Sequence, residues 1–275
     1  MTLENLSHSS EPSVSKPRIE QAFGRAAKYY NQAALVQKRC AEQLLNELDR
    51  VQSKLPPGKV IEIGCGTGFL TQGLVKKMGD RSLEITDLSQ SMLTVCQHQI
   101  ASTNHSSEVI FKPLDGELWQ PVSRHYALII TSFVVQWFQQ LESTLDRWIS
   151  ALKPGGKILM SLPTCHSFPE WKAACKQLDL PFTGNPLPDP AAIAQFLTSR
   201  PVSTQYWQES IGVFFTSSRD FFRGLKQIGA GTSFSHTKLS ISEFKQLVHT
   251  IDKLADPSKE IHYDVAYFTI SRDEL

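Results

Sequence analysis

The segment Lys59–Leu70, "KVIEIGCGTGFL", constrains the fold more than any other part of this chain. A short apolar run meets glycines at positions 64, 66 and 68, and a helix-forming stretch follows. A strand that enters a tight turn and leaves as a helix is the start of a β–α–β unit, whose next strand must lie parallel to the first. Glycines in such a turn also let the backbone approach a ligand with no Cβ in the way. The spacing departs from the dinucleotide fingerprint G-x-G-x-x-G. Here the pattern is E-x-G-x-G-x-G, one residue tighter, with Phe69 after the last glycine. Taken alone, the three glycines could simply mark a tight strand–helix junction.

The chain around this turn alternates strand and helix. A helix over about Phe69 to Lys77 is followed by the strand "SLEITD" and a helix from Ser91 through Ile100. Strands "EVIFKP" and "YALIITS", a helix through "LESTLDRWISAL" and a strand "GKILMSLP" continue the pattern. This predicts an α/β fold with a doubly wound, mostly parallel, Rossmann-like sheet. Ahead of it, Arg18 to Leu48 has apolar residues at helical spacing, broken near Tyr29 and Tyr30. Between Cys165 and Lys259 the rhythm changes: helical pieces surround the β-like run "VSTQYWQESIGVFFTS", and "IHYDVAYFTISR" closes the chain. The expected organisation is a disordered tail over residues 1–17 and a single domain over 18–275. A helical lid insertion is expected at about 164–200 and 218–258, before the last strands.

Composition narrows the partners. With 28 Lys and Arg against 27 Asp and Glu, nothing electrostatic favours nucleic acid or a membrane surface. No apolar run is long enough to span a bilayer. Five scattered cysteines without C-x-x-C spacing fit free thiols in a reducing, cytoplasmic setting and offer no zinc site. The eight histidines show no ligand spacing, and His125 and His166 read as surface or turn residues. The Ser-rich start lacks the apolar core of a secretory signal. The final "RDEL" resembles a retention address, but such an address acts only on a protein already in the secretory pathway.

In doubly wound sheets ligands sit at the carboxyl ends of the strands. The second strand ends at Asp87, where a carboxylate can accept from ribose hydroxyls, or could instead cap the next helix. The third ends near Asp115, placed for a purine amine or for an ordinary turn. The fourth ends in the small residues Thr131 and Ser132. This combination resembles the class I S-adenosylmethionine-dependent methyltransferases, and "LKPGGKILMS" matches that fold's turn into its fifth strand. The resemblance runs from about Gln21 to Pro163. It implies S-adenosyl-L-methionine as cofactor, with Glu62, Gly64, Cys65, Gly66, Gly68, Asp87, Leu88, Asp115 and Ser132 at its site.

The flanks "QAFGRAAKYYNQAALVQ", "SFVVQWFQQL", "SLPTCHSFPEWKAAC" and "RGLKQIGAG" are similar to the malonyl-[acyl-carrier protein] O-methyltransferase (BioC) family, from about Ile19 to Arg272. That family esterifies the free carboxylate of malonyl on its carrier, so the implied partner is malonyl-acyl-carrier protein or malonyl-CoA. The resemblance puts Phe23, Gly24, Arg25 and Tyr30 in a segment closing over the cofactor, and Gln136 and Trp137 beside the acceptor cleft. Arg223 and Lys226 fall in the lid, Arg223 being the first candidate for the acceptor carboxylate and Lys226 the second. Tyr30 and Trp137 are also ordinary packing residues by type, Phe133 reads as core, and Arg223 and Lys226 also fit a solvated helix face. Two positions depart from the family: Ser132 replaces its usual Asn, and "TGNPL" (183–187) keeps only Asn185 of an H-x-N-R-F segment. No acid–base pair is assigned, since a sulfonium methyl is already activated and a carboxylate is already ionised at neutral pH. Competing expectations are methylation of another carboxylate or a quinone-type ring, and a non-catalytic binding role.

Overall fold

Strand β1 (Lys59–Ile63) lies third in a seven-stranded sheet in the computed structural model, which describes residues 16–101, 108–231, 237–255 and 260–274. The other strands are β2 (Leu83–Asp87), β3 (Val109–Pro113), β4 (Tyr126–Ser132), β5 (Leu152–Pro163), β6 (Val202–Phe214) and β7 (Glu260–Arg272), in the order β3-β2-β1-β4-β5-β7-β6. The first five run parallel, and β7 lies antiparallel between β5 and β6. Because side chains alternate across a strand, neighbours in sequence feed different cores. Val60, Leu128 and Ile130 face one layer; Ile61, Ile63 and Ile129 face the other. Burial on both faces is why these strands read as continuous apolar runs.

Helices cover both faces. The first layer holds α3 (Leu35–Val51), α4 (Thr71–Lys77) and α5 (Gln90–Ala101); the second holds α6 (Leu141–Ala151), whose Trp148 is fully buried. A short α2 (Tyr30–Ala33) precedes α3, so the interruption expected near Tyr29 and Tyr30 is present.

Two boundaries differ from the sequence reading. Helix α1 spans Lys16–Ala26, so Lys16 and Pro17, assigned to the tail, are helical; residues 1–15 lie outside the described residues. Proline suits a first helical turn, where its missing N–H has no partner to lose. Strand β5 starts at Leu152 rather than Gly156. Leu152 pairs with Tyr126, and the register then shifts so that Leu128 faces Lys157, which leaves Pro154 and the glycine pair in an irregularity. Gly155 takes a left-handed φ of +73° there.

Between β5 and β6 lie α7 (Pro169–Gln177) and α8 (Pro190–Leu197); between β6 and β7 lie α9 (Ser218–Gln227) and α10 (Ile241–Leu254). Helix α10 packs on α7 and α9, and a Ser240–Glu243 capping box starts it. Helices α7, α9 and α10 share a cavity wall with Phe133, just past the carboxyl end of β4, while α8 packs against the sheet in the second layer. Among the described residues no helix is long and apolar enough to cross a membrane.

Candidate active site

The three glycines after β1 adopt φ values of +74° (Gly64), +53° (Gly66) and +100° (Gly68), a region that other residues enter only with strain. Their surroundings differ. A Cβ on Gly64 would fall 2.2 Å from Val134 Cγ2, and one on Gly68 3.0 Å from Cys96 Sγ. A Cβ on Gly66 would meet nothing within 4 Å. Gly64 and Gly68 are needed for packing; Gly66 faces open space.

That space is a cavity of about 90 Å³ walled by Gly64, Gly66, Asp87, Leu88, Asp115 and Ser132, among others. Asp87 Oδ2 accepts from the Gly66 N–H and Oδ1 from the Ser89 N–H, each at 2.8 Å. The carboxylate therefore holds the glycine turn from across the sheet and keeps lone pairs for a ligand. Burial raises its pKa to about 6, against the opposing effect of the Ser89, Gly66 and Leu88 N–H groups. Capping of α5 falls to Ser89, whose Oγ accepts from the Met92 N–H at 3.4 Å. Asp115 serves its own turn by accepting from the Glu117 N–H at 2.9 Å, and it also walls the cavity. Ser132 Oγ pairs with Ser161 Oγ at 2.9 Å.

Three expected cofactor residues do not wall this cavity. Glu62 is buried beneath the turn and accepts from Thr71 Oγ1 at 2.8 Å. Burial pushes its pKa up to about 8, with Thr71 opposing the shift and Asp87 adding to it. Cys65, buried with its thiol pKa driven up by loss of solvent, and Gly68 likewise build the turn rather than face the space. Their place in the pattern reflects support of the loop.

Four residues, Phe23, Tyr30, Phe133 and Trp137, also wall a second cavity of about 590 Å³. A volume of that size suits a small-molecule or cofactor-arm site. Phe133, expected to be core, stands at the junction with a left-handed φ of +58°. Such strain in a non-glycine residue is kept where the surroundings over-determine it, often at sites. Trp137 meets Phe23 edge-on at 5.4 Å, and Gln136 donates from Nε2 to the Phe133 carbonyl at 2.8 Å. Asn185 lines the far wall with Phe168, Trp171 and Phe222.

The lid cations separate. Lys226 lines the larger cavity. Arg223 does not: its side chain is 61% exposed and donates to Asp220 at 2.6 Å. Its expected place as first carboxylate ligand finds no support in this position, since Arg223 is turned to solvent and paired with Asp220.

Sequence reasoning missed several wall residues. Lys16, placed in the tail, bonds Asp115 at 3.4 Å and Glu117 at 2.5 Å over the smaller cavity. Tyr263, on β7, reaches the larger one. No local pattern marks either, since their neighbours in space are far off in sequence. Spacing also hid a grouping of Cys165, His166 and Asp189, whose ligand-type atoms lie within 4.8 Å of one another. Asp189 already caps α8 by accepting from the Ala191 N–H at 2.9 Å.

A family profile described as a methyltransferase domain matches residues 60–156. A malonyl-[acyl-carrier protein] O-methyltransferase of Magnetococcus marinus is 33% identical over 214 residues, covering 78% of this chain and 77% of that protein. The chain belongs to the malonyl-[acyl-carrier protein] O-methyltransferase family. A biotin biosynthesis bifunctional protein BioCD of Bordetella avium is 31% identical over 86% of this chain and 49% of its own length. Among solved structures, the YcgJ protein of Bacillus subtilis superposes with a TM-score of 0.58 at 12% identity, over 85% of this chain and 100% of that one. That likeness speaks to the fold. Methyltransferases of this family use S-adenosylmethionine, the group against which the glycine-turn cavity is judged for fit. The residues present fit it, with an open face at Gly66, a carboxylate at the end of β2 and an apolar wall.

Proposed function

We propose that this chain transfers a methyl group from S-adenosylmethionine to the free carboxylate of malonyl-[acyl-carrier protein], giving the methyl ester that primes pimeloyl synthesis in the biotin pathway. The observation that carries the reading is the junction. A cavity built on the glycine turn opens, through Tyr30, Phe133 and Trp137, into a mostly apolar cavity large enough for a thioester arm.

The cofactor supplies a methyl group activated by sulfonium charge. Asp87 receives the ribose hydroxyls and Asp115 the adenine amine, while Gly66 lets the ligand lie against the backbone. Leu88 and Ser132 complete that wall, and Glu62, Cys65 and Gly68 hold the turn's shape from beneath. The aromatic junction aligns the acceptor and excludes water, which suffices for a nucleophile that needs no deprotonation. Lys226, at the outer part of the larger cavity, faces the carrier-bound end. The reading extends to one methyltransferase domain over 18–275 with lid segments near 164–200 and 218–258. It also takes the five free thiols as support for a cytoplasmic location, with no nucleic acid or membrane as partner.

The test offers purified protein methyl-labelled S-adenosylmethionine with malonyl-acyl-carrier protein or malonyl-CoA. Base-labile label in the malonyl unit is the expected result. Label only in other carboxylates or in quinone-type rings would replace this acceptor assignment.

A further inference from the structure

The acceptor's carboxylate must reach the junction, because the reacting methyl lies on the cofactor side of it. An ionised carboxylate there needs partners, since an unpaired buried charge is very costly. The cations in the wall of the larger cavity among the described residues are Lys226 and Lys238. Both are exposed, on the lid side. Lys16, beside the smaller cavity, is engaged with Asp115 and Glu117. Arg223 turns outward. Among the described residues, none of the four that wall both cavities is a cation.

The junction offers hydroxyls. Tyr30 walls both cavities and Tyr263 walls the larger one. They come from opposite ends of the chain, from α2 and β7, and aromatic neighbours fix each ring. Tyr30 lies 6.3 Å from Phe69, and Tyr263 sits edge-on to Phe168 at 4.7 Å. Among the described residues both tyrosines hydrogen-bond through backbone groups alone, so each phenol keeps its proton for a ligand. Burial raises the pKa of both, Asp87 adding to the effect at Tyr30 and Tyr30 at Tyr263. They stay protonated at any physiological pH and can only donate to an anion or accept from a donor.

We infer that the Tyr30 and Tyr263 hydroxyls together hold the acceptor's free carboxylate at the junction, making these two tyrosines the residues that select a carboxylate-bearing acyl group. The assignment rests on the proposed malonyl reaction and deepens it. Two neutral donors suit the chemistry better than a cation would. They offset the loss of water around the carboxylate, and they draw off less of the oxygen's electron density than a full ion pair. The orientation follows: carboxylate inward at the tyrosines, thioester outward toward Lys226 and Lys238.

Substrate preference reads this directly. With S-adenosylhomocysteine bound, the wild type should bind malonyl-CoA at least tenfold more tightly than acetyl-CoA, which lacks the carboxylate. Tyr263→Phe and Tyr30→Phe each remove one hydroxyl while keeping the ring. Each should narrow that preference to about threefold or less and raise KM for malonyl-CoA by about tenfold or more. Of the two cavities Tyr263 walls the larger alone, so in Tyr263→Phe the affinity for S-adenosylhomocysteine and the thermal midpoint should hold, which separates this role from support of the cofactor or the fold. A wild type that methylates malonyl thioesters, with both variants keeping its malonyl preference, overturns the tyrosine assignment alone. A wild type that does not methylate them overturns the function reading, and the assignment with it.

Discussion

The two cavities share an aromatic junction yet are assembled in opposite ways. The cofactor wall is built mainly from the ends of β1, β2, β3 and β4 and the turns after them, with α1 and Tyr30 alongside. Gly66, Asp87 and Ser132 sit at equivalent strand ends, and parallel pairing sets Glu62 opposite Ile85 on one side and Ile130 on the other. The acceptor wall gathers α2, the turn after β4, α7, α9, α10 and β7, each giving from one to three side chains. A wall made of a motif should fail through one residue. A wall made of many elements should weaken by degrees.

The largest effect therefore belongs to the glycine turn. Gly66→Val puts a branched side chain into the space that the unsubstituted turn leaves open, so calorimetry should detect no binding of S-adenosylhomocysteine. A left-handed φ costs a branched residue about 1–2 kcal/mol, so the protein should still melt cooperatively. Retained binding would mean that the turn does not cradle the ligand, and the contrast between the two walls would collapse. Gly64→Ala makes the opposite control. Its Cβ would strike Val134, so the loss should show in stability first.

This contrast also explains what could be read from the amino-acid order. Strand–helix alternation, the parallel sheet and the wall formed by Gly64, Gly66, Asp87, Leu88, Asp115 and Ser132 were legible because strand ends fall at one edge of the sheet wherever the strands are placed. Glu62 was legible as a support of the loop through the family resemblance; Cys65 and Gly68 were legible as part of the pattern but not in their role, because a pattern does not say which residue faces the ligand and which lies under it. Arg223 was misread for a related reason. Helical spacing brings Arg223 to Asp220 three residues back, but 223 and 226 are also three apart, so spacing alone does not say that Lys226 reaches the cavity and Arg223 does not. Lys16 and Tyr263 carried no local signal; each acquires its position only when distant segments meet.

The next effect is smaller and depends on pH. Asp87 ordinarily would ionise near 3.8, and in the folded protein its pKa rises to about 6. Above 6 it is a carboxylate and can accept from the ribose; below 6 it carries a proton. Affinity for S-adenosylhomocysteine should thus fall about tenfold between pH 7.5 and pH 5, since at one unit below the pKa roughly a tenth stays ionised. Asp87→Asn should bind more weakly at pH 7.5 and lose most of that dependence. For stability the sign is reversed from a salt-bridged acid. The raised pKa favours the folded state at low pH, and that contribution is lost as pH rises from about 4 through 6. An affinity that stays level from pH 7.5 to 5 would place the ribose away from Asp87.

The smallest effects lie on the lid, and there the comparison can be sharpened rather than broken. Arg223 and Lys226 stand on one helix, yet Arg223 is paired at the surface with Asp220 and Lys226 lines the acceptor cavity. An exposed ion pair contributes about 0–1 kcal/mol, so Arg223→Ala should leave stability and the kinetics on malonyl-CoA and malonyl-carrier protein nearly unchanged. Lys226 lies where the outer end of the acceptor leaves the cavity, and a lone ammonium there acts mainly on the approach of an acidic carrier. Lys226→Ala should lower kcat/KM for malonyl-carrier protein about threefold to tenfold at low salt, with little change for malonyl-CoA. Because screening shortens the reach of an exposed charge to about 8 Å at physiological ionic strength, that deficit should shrink as salt is added. An equal loss on both substrates that persists at high salt would instead put the ammonium on the acyl carboxylate itself, and the neutral tyrosine pair would no longer be sufficient.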